Sequence, residues 1–158
     1  MTPDINADII AAESIGGIQL GSDSREVLNL LDKTHNRFSC LKYVVGDFLC
    51  TQVTLEHVGL SFVHDEGNRI IGVTCRPPYA GRYRQKFYPG ITVGKLREMA
   101  ATTLVIHGYI IVDKEFGVLF SVPEKYAGKF YDDIDTIEQL PSHMALNEIL
   151  VRDREWWR

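Results

Sequence analysis

The chain has 158 residues, 45% of them hydrophobic, enough apolar material for one domain or two small fused ones with an ordinary buried core. Its 17 basic and 21 acidic residues leave a formal net charge of -4, which offers no uniform basic surface to nucleic-acid phosphates and argues against nucleic acid as a partner. No basic segment followed by an apolar run opens the chain, and no apolar stretch approaches the roughly 20 residues that cross a bilayer, so the reading is cytoplasmic, without a membrane partner.

Residues 1–15 begin polar and then place Ile5, Ile9 and Ile10 beside Ala7, Ala11 and Ala12, a pattern that fits either a frayed helix or a strand. Gly17-Ile18-Gln19-Leu20-Gly21 follows. Next come Ser22, Asp23 and Ser24, each able to cap a helix by accepting from a free N–H group, and Val27, Leu28, Leu30 and Leu31 at helical spacing predict a helix running to Lys33 or Thr34. From Cys40 the pattern turns to β. Strands are predicted over 41–45 and 48–56, and a hairpin over 59–74 closes on Asp65-Glu66-Gly67-Asn68, together an antiparallel meander of four strands. Pro77-Pro78 ends the meander, because proline supplies no ladder donor.

The connector 82–87 leads into Gly90-Ile91-Thr92-Val93-Gly94, which repeats the glycine-bounded pattern of residues 17–21. A second amphipathic helix is predicted from Lys95 to Thr103, then strands over 104–106, 109–112 and 116–122, the last echoing the Gly-aliphatic-x-Phe start of the hairpin at Gly59. Since the interval from Gly94 to Gly117 is shorter than that from Gly21 to Gly59, the second unit should lack one hairpin. A final strand is predicted over 146–151. Trp156 and Trp157 carry too much apolar surface to hang in solvent, so the segment bearing them should be docked or part of an interface. The fold class is therefore α+β, antiparallel sheet with short helices in two imperfect helix-plus-meander repeats, 16–81 and 88–158, within a single compact domain over 1–158.

No residue constellation identifies a reaction. Cys40, Cys50 and Cys75 are odd in number and widely spaced, matching neither a disulfide framework nor a CxxC metal knuckle, and are expected as reduced thiols. Pairing Val63 with Arg69 in the hairpin would set Cys75 opposite His57 as a thiolate-imidazole pair, the best enzymatic alternative. There is no GxSxG, no GxxxxGK[ST] and no GxGxxG after a strand, and five scattered histidines form no HExxH. Asp132, Asp133, Asp135 and Glu138 read as a solvated acidic surface or a face for a basic partner, without calcium-loop spacing. The aromatics Tyr79, Tyr83, Phe87 and Tyr88 among Arg82, Arg84 and Lys86 read as a packed connector rather than a base-stacking platform. No cofactor, metal or catalytic residue is expected.

A short helix followed by an antiparallel sheet, taken twice, resembles the tandem-repeat β-lactamase-inhibitor-like proteins, and Gly17 to Leu28 is similar to the loop and helix start of those modules and of outer-membrane-assembly lipoproteins of related fold. A signal peptide and lipobox are not apparent, unlike in the lipoproteins. In size and acidity the chain also looks like bacterial polymorphic-toxin immunity proteins. That resemblance implies a noncatalytic protein that binds and neutralises a cognate toxin, with Tyr83, Tyr88 and Tyr131 as candidate anchors and Asp132, Asp133, Asp135 and Glu138 steering a basic partner surface. The alternatives are a small cytoplasmic enzyme with a Cys/His or carboxylate site, and a structural or oligomerisation module.

Overall fold

Two glycine-bounded strands of two residues each deliver the chain into its helices. In the computed structural model, which describes residues 3–124 and 134–158, β1 (Ser14–Ile15) pairs with β2 (Ile18–Gln19), and α1 (Ser24–Lys33) follows. Asp23 is the residue that caps α1: its carboxylate accepts from the Arg25 N–H at 2.9 Å, while Ser24 lies inside the helix and buried. The helix turns Val27 and Leu31 into the core. Then come β3 (Phe38–Val45), β4 (Phe48–Leu55), β5 (Leu60–His64) and β6 (Ile70–Cys75), the predicted four-stranded meander.

The second pass begins with β7 (Ile91–Thr92) and α2 (Val93–Met99), capped by the Thr92 hydroxyl accepting from Lys95 N–H at 3.2 Å. This helix starts earlier and ends earlier than its apolar spacing predicted, because the Thr92 cap fixes the start and Ala100 already has extended backbone. It leads to β8 (Thr103–Ile106), β9 (Tyr109–Val112) and β10 (Val118–Ser121). A 3-10 turn at Ile137–Gln139 precedes β11 (Ala145–Leu146), which pairs with β7, and β12 (Ile149–Arg152). The predicted final strand is thus two short ones in different sheets.

Eight strands form one antiparallel sheet in the order β3-β4-β5-β6-β12-β10-β9-β8. The order reads the same way outward from the β6–β12 pair, and each half consists of a helix and the four strands that follow it. The second half does not lack a hairpin. Its β8–β9 hairpin takes the sheet position that matches β3–β4, with strands of 4 residues in place of 8; these shorter strands, together with Gly94 lying inside α2 whereas Gly21 precedes α1, make the glycine interval shorter.

One face of the sheet makes the core. Val53, Leu55, Leu60, Phe62, Val73, Ile149, Val151, Phe120 and Ile110 point from consecutive strands into a cluster with Ile15, Ile18, Leu31, Phe87, Val93 and Leu96, so one core spans both halves. Residues 3–13 are neither helix nor regular strand: they are laced irregularly to the connector and to β10, with Ile9 N–H donating to Arg82 O at 2.9 Å and Ala12 N–H to Gly117 O at 3.0 Å. Buried Tyr79 ties this segment down, its hydroxyl donating to Ala7 O and accepting from Gly16 N–H at 3.1 Å.

Gly59, at the entry to β5, has φ +72, and an added Cβ would lie 2.1 Å from Arg76 O. Gly17 has φ +85 with open space around it. Gly17→Ala should therefore cost about 1–3 kcal/mol of backbone strain, whereas Gly59→Ala should cost more by displacing the chain leaving β6. Urea unfolding of the two variants checks the ranking; equal midpoints would contradict it.

Candidate functional site

The connector aromatics are core and not surface. Tyr83 is 5% exposed, stacks on Phe87 at 5.9 Å, and sits at a tight turn in which its N–H and carbonyl both pair with Phe87. Arg84 and Gln85 take the turn with φ 52 and 62. Tyr83 is therefore removed as a partner anchor. Tyr88 is half-buried, with Arg82 5.0 Å and Lys95 5.6 Å from its ring centre, so the connector's cations are engaged with its own rings. Arg84 is paired with Asp113 at 3.2 Å.

Tyr131, Asp132 and Asp133 lie outside the described residues. Asp135 is exposed, and Glu138 is exposed but reaches Arg97 of α2 at 3.5 Å. Tyr88 and Glu138 thus both lie beside α2, through Lys95 and Arg97. Among the described residues no group of three or more His, Cys, Asp or Glu side chains could hold a metal ion.

The cysteine-histidine pair does not form. The hairpin closes with His64 opposite Ile70, and an irregularity between Val63 and His64 adds a further one-residue shift, so that Val63 faces Gly72 and Cys75 faces Leu60, while exposed His57 lies beyond the ladder with φ 67. On its other side Cys75 faces Ile149. Burial pushes its thiol pKa up to about 12, far from the thiolate a nucleophile needs.

The open face of the sheet holds the feature that the sequence reading passed over. Residues alternate with the core set to put Tyr43, Cys50, Gln52, Val63, Thr74, Leu150 and Arg152 on this side, and they line a groove of about 500 Å³ that also touches Tyr109 and Ser121 of the second half. Strands far apart in the sheet order therefore share one concavity, so the sheet is strongly curled. Burial raises the Tyr43 hydroxyl pKa above its ordinary value, the Cys50 and Tyr109 groups push the same way, and the Arg152 guanidinium opposes them. Arg152 itself has no carboxylate partner among the described residues and lies 5.9 Å from the Trp156 ring centre.

Beside the groove, the tip of the β3–β4 hairpin stands clear of the core as an arm. Leu41 is 63%, Val44 67%, Val45 56% and Phe48 74% exposed, with apolar side chains on both faces of the ribbon. From the next hairpin, Glu66 Oε1 accepts from Leu49 N–H at 3.1 Å. The other end of the open face is covered. Trp156 packs edge-on against Tyr109 at 5.4 Å and donates to Phe116 O at 2.7 Å, so it is docked, whereas Trp157, 5.2 Å from Phe116, stays 38% exposed. An alternating apolar pattern announces a strand but not whether either face is covered, which is why the arm was not singled out.

None of the family models, curated proteins or solved structures compared with the chain matches it.

Cys40 is exposed whereas Cys50 and Cys75 are buried, so a thiol reagent should label Cys40 alone in the native protein, and all three cysteines after unfolding. The folded Cys75 thiol holds its proton from its ordinary 9.0 up to about 12, and buried Tyr79 holds its proton from 10.0 up to about 12. Their contribution to stability is thus complete below about pH 9 and is lost as pH rises toward about 12. Urea midpoints should fall over that window, less steeply in Cys75→Ala; an unchanged slope would contradict the assignment.

Proposed function

We propose that the protein is a noncatalytic protein-binding module whose contact surface is the curled open face together with the β3–β4 arm. The observation that carries this reading is the arm itself: four large apolar side chains more than half exposed on one short hairpin, beside a half-enclosed groove. Isolated apolar residues are ordinary on a surface, but a contiguous set on a projecting element is what a recognition site presents. The groove adds specificity, since Tyr43 and Tyr109 supply hydroxyls and Arg152 a guanidinium suited to a carboxylate of the bound chain.

The specific role we propose is that of a bacterial immunity protein, which covers a cognate toxin and thereby neutralises it. The supporting points are the absence of a catalytic motif in the sequence, a helix-and-sheet order that resembles the tandem arrangement of β-lactamase-inhibitor-like proteins, and the net charge of -4, which would steer a basic partner. The acidic surface at Asp135 and Glu138 lies apart from the groove lining and contributes long-range attraction rather than an anchor.

Co-expression with each candidate toxin domain found encoded beside its gene tests the role. The wild type should restore growth, Phe48→Asp and Val63→Arg should abolish rescue, and binding should weaken at least about tenfold, the loss of one hot-spot contact. Absence of rescue by the wild type, or full rescue by both variants with unchanged melting, would overturn the proposal.

A further inference from the structure

We infer that the protein pairs with a second copy of itself through the free edge of β3, joining two eight-stranded sheets into one. This goes beyond the binding function proposed above and does not rest on it. β3 is an edge strand of 8 residues, twice the length of the opposite edge strand β8. An exposed edge is usually blunted by short length, a bulge, proline or several charges. Here β3 runs in unbroken register with β4 from Phe38↔Leu55 to Val45↔Phe48, contains no proline, and carries Lys42 as its one charged residue.

The direction of the unpaired backbone groups follows from that register. Gly46 and Asp47 form a two-residue turn closing on Val45↔Phe48, so alternate residues Tyr43, Leu41 and Ser39 exchange hydrogen bonds with β4. Phe38, Cys40, Lys42 and Val44 therefore direct their N–H and C=O groups outward.

The edge is complementary to itself. A two-fold axis normal to the sheet is the operation that sets two β3 edges antiparallel, and it keeps the open faces of both copies on the same side. Facing residues must then share a face, which leaves alternate registers. Centring on Lys42 would oppose like charges, a destabilising arrangement. Centring on Leu41 sets Leu41 against Leu41 on the open face, Ser39 against Tyr43, Cys40 against Lys42 and Phe38 against Val44, using nearly all of the strand.

In the same register Arg37, just before β3, lies diagonal to Asp47, just after it, and the two-fold axis repeats the pair at the other end. Basic start and acidic end thus match when the partner is another copy of the same strand. The apolar residues most exposed on β3, Leu41, Val44 and Val45, are those the pairing covers, and the open faces of the two sheets become continuous across the axis.

The experiment is sedimentation of the full chain across the micromolar range, with two variants. The wild type should show a dimer mass. Lys42→Pro removes an outward donor without touching the β3–β4 ladder, so it should give a monomer with an unchanged circular-dichroism spectrum. In a Cys40→Ser background, Leu41→Cys should cross-link into a covalent dimer under mild oxidation, because facing residues at a non-hydrogen-bonded position fall within disulfide reach. A monomeric wild type, a Lys42→Pro variant that remains dimeric, or no cross-link in the Leu41→Cys protein would overturn the pairing. Growth rescue by a monomeric wild type would overturn the pairing alone and leave the binding function standing.

Discussion

Everything in the fold depends on the pairing of β6 with β12. Val73 against Val151 and Cys75 against Ile149 form the middle of the sheet, and each belongs to the buried cluster. Without that ladder the meander β3–β6 and the strands β8–β10 would be two separate sheets, each with an apolar face half covered and an inner edge open. With it, the helices of both halves pack over one continuous core. The curl that makes the groove also requires it, since Tyr43 and Tyr109 share a concavity only when the halves are joined.

This geometry separates two tasks. Away from the β3–β4 arm, the helix side of the sheet carries the buried core, and the N-terminal segment is fastened there by the Tyr79 hydroxyl. The open side is divided. Docked Trp156 covers the region around Tyr109, and the rest is left as a groove bordered by the arm. Such a division suits a protein whose stability resides on one face and whose contacts are made on the other, because substitutions on the open face change recognition without leaving a cavity in the core.

Much of the architecture was legible in the residues. Asp23, just after the glycine-bounded stretch 17–21, marks the start of α1 through the physics of free N–H groups, and the Gly46-Asp47 and Asp65–Asn68 turns mark the hairpins; the Thr92 cap, inside the second glycine-bounded stretch, is not legible from apolar spacing, which puts the start of α2 at Lys95. Register was less legible. The hairpin closes with His64 opposite Ile70 rather than Val63 opposite Arg69, and the irregularity beside His64 displaces every pair beyond it by one further residue, which nothing in local propensity announces; together these set Cys75 opposite Leu60 and not His57.

The candidate site was the least legible part. Tyr83 reads as an anchor in the sequence, yet its ring is buried and stacks on Phe87, while Arg84 lies over it 5.0 Å from its centre. Conversely, Leu41, Val45 and Phe48 read like any half-buried strand, and only the third dimension shows them more than half exposed among the described residues.

The placement of β12 has a further consequence, for the order of events in folding. It is the last of the eight strands along the chain, yet it occupies an interior position, between β6 and β10. The meander can assemble from neighbours in sequence, but the ladder joining Cys75 to Ile149 closes a loop that spans almost half the chain. As the chain leaves the ribosome, both inner edges and half of the core must wait for these few residues. A nascent chain stalled just short of Ile149 would hold two unfinished sheets with matching sticky edges, the state in which such a protein depends on chaperones.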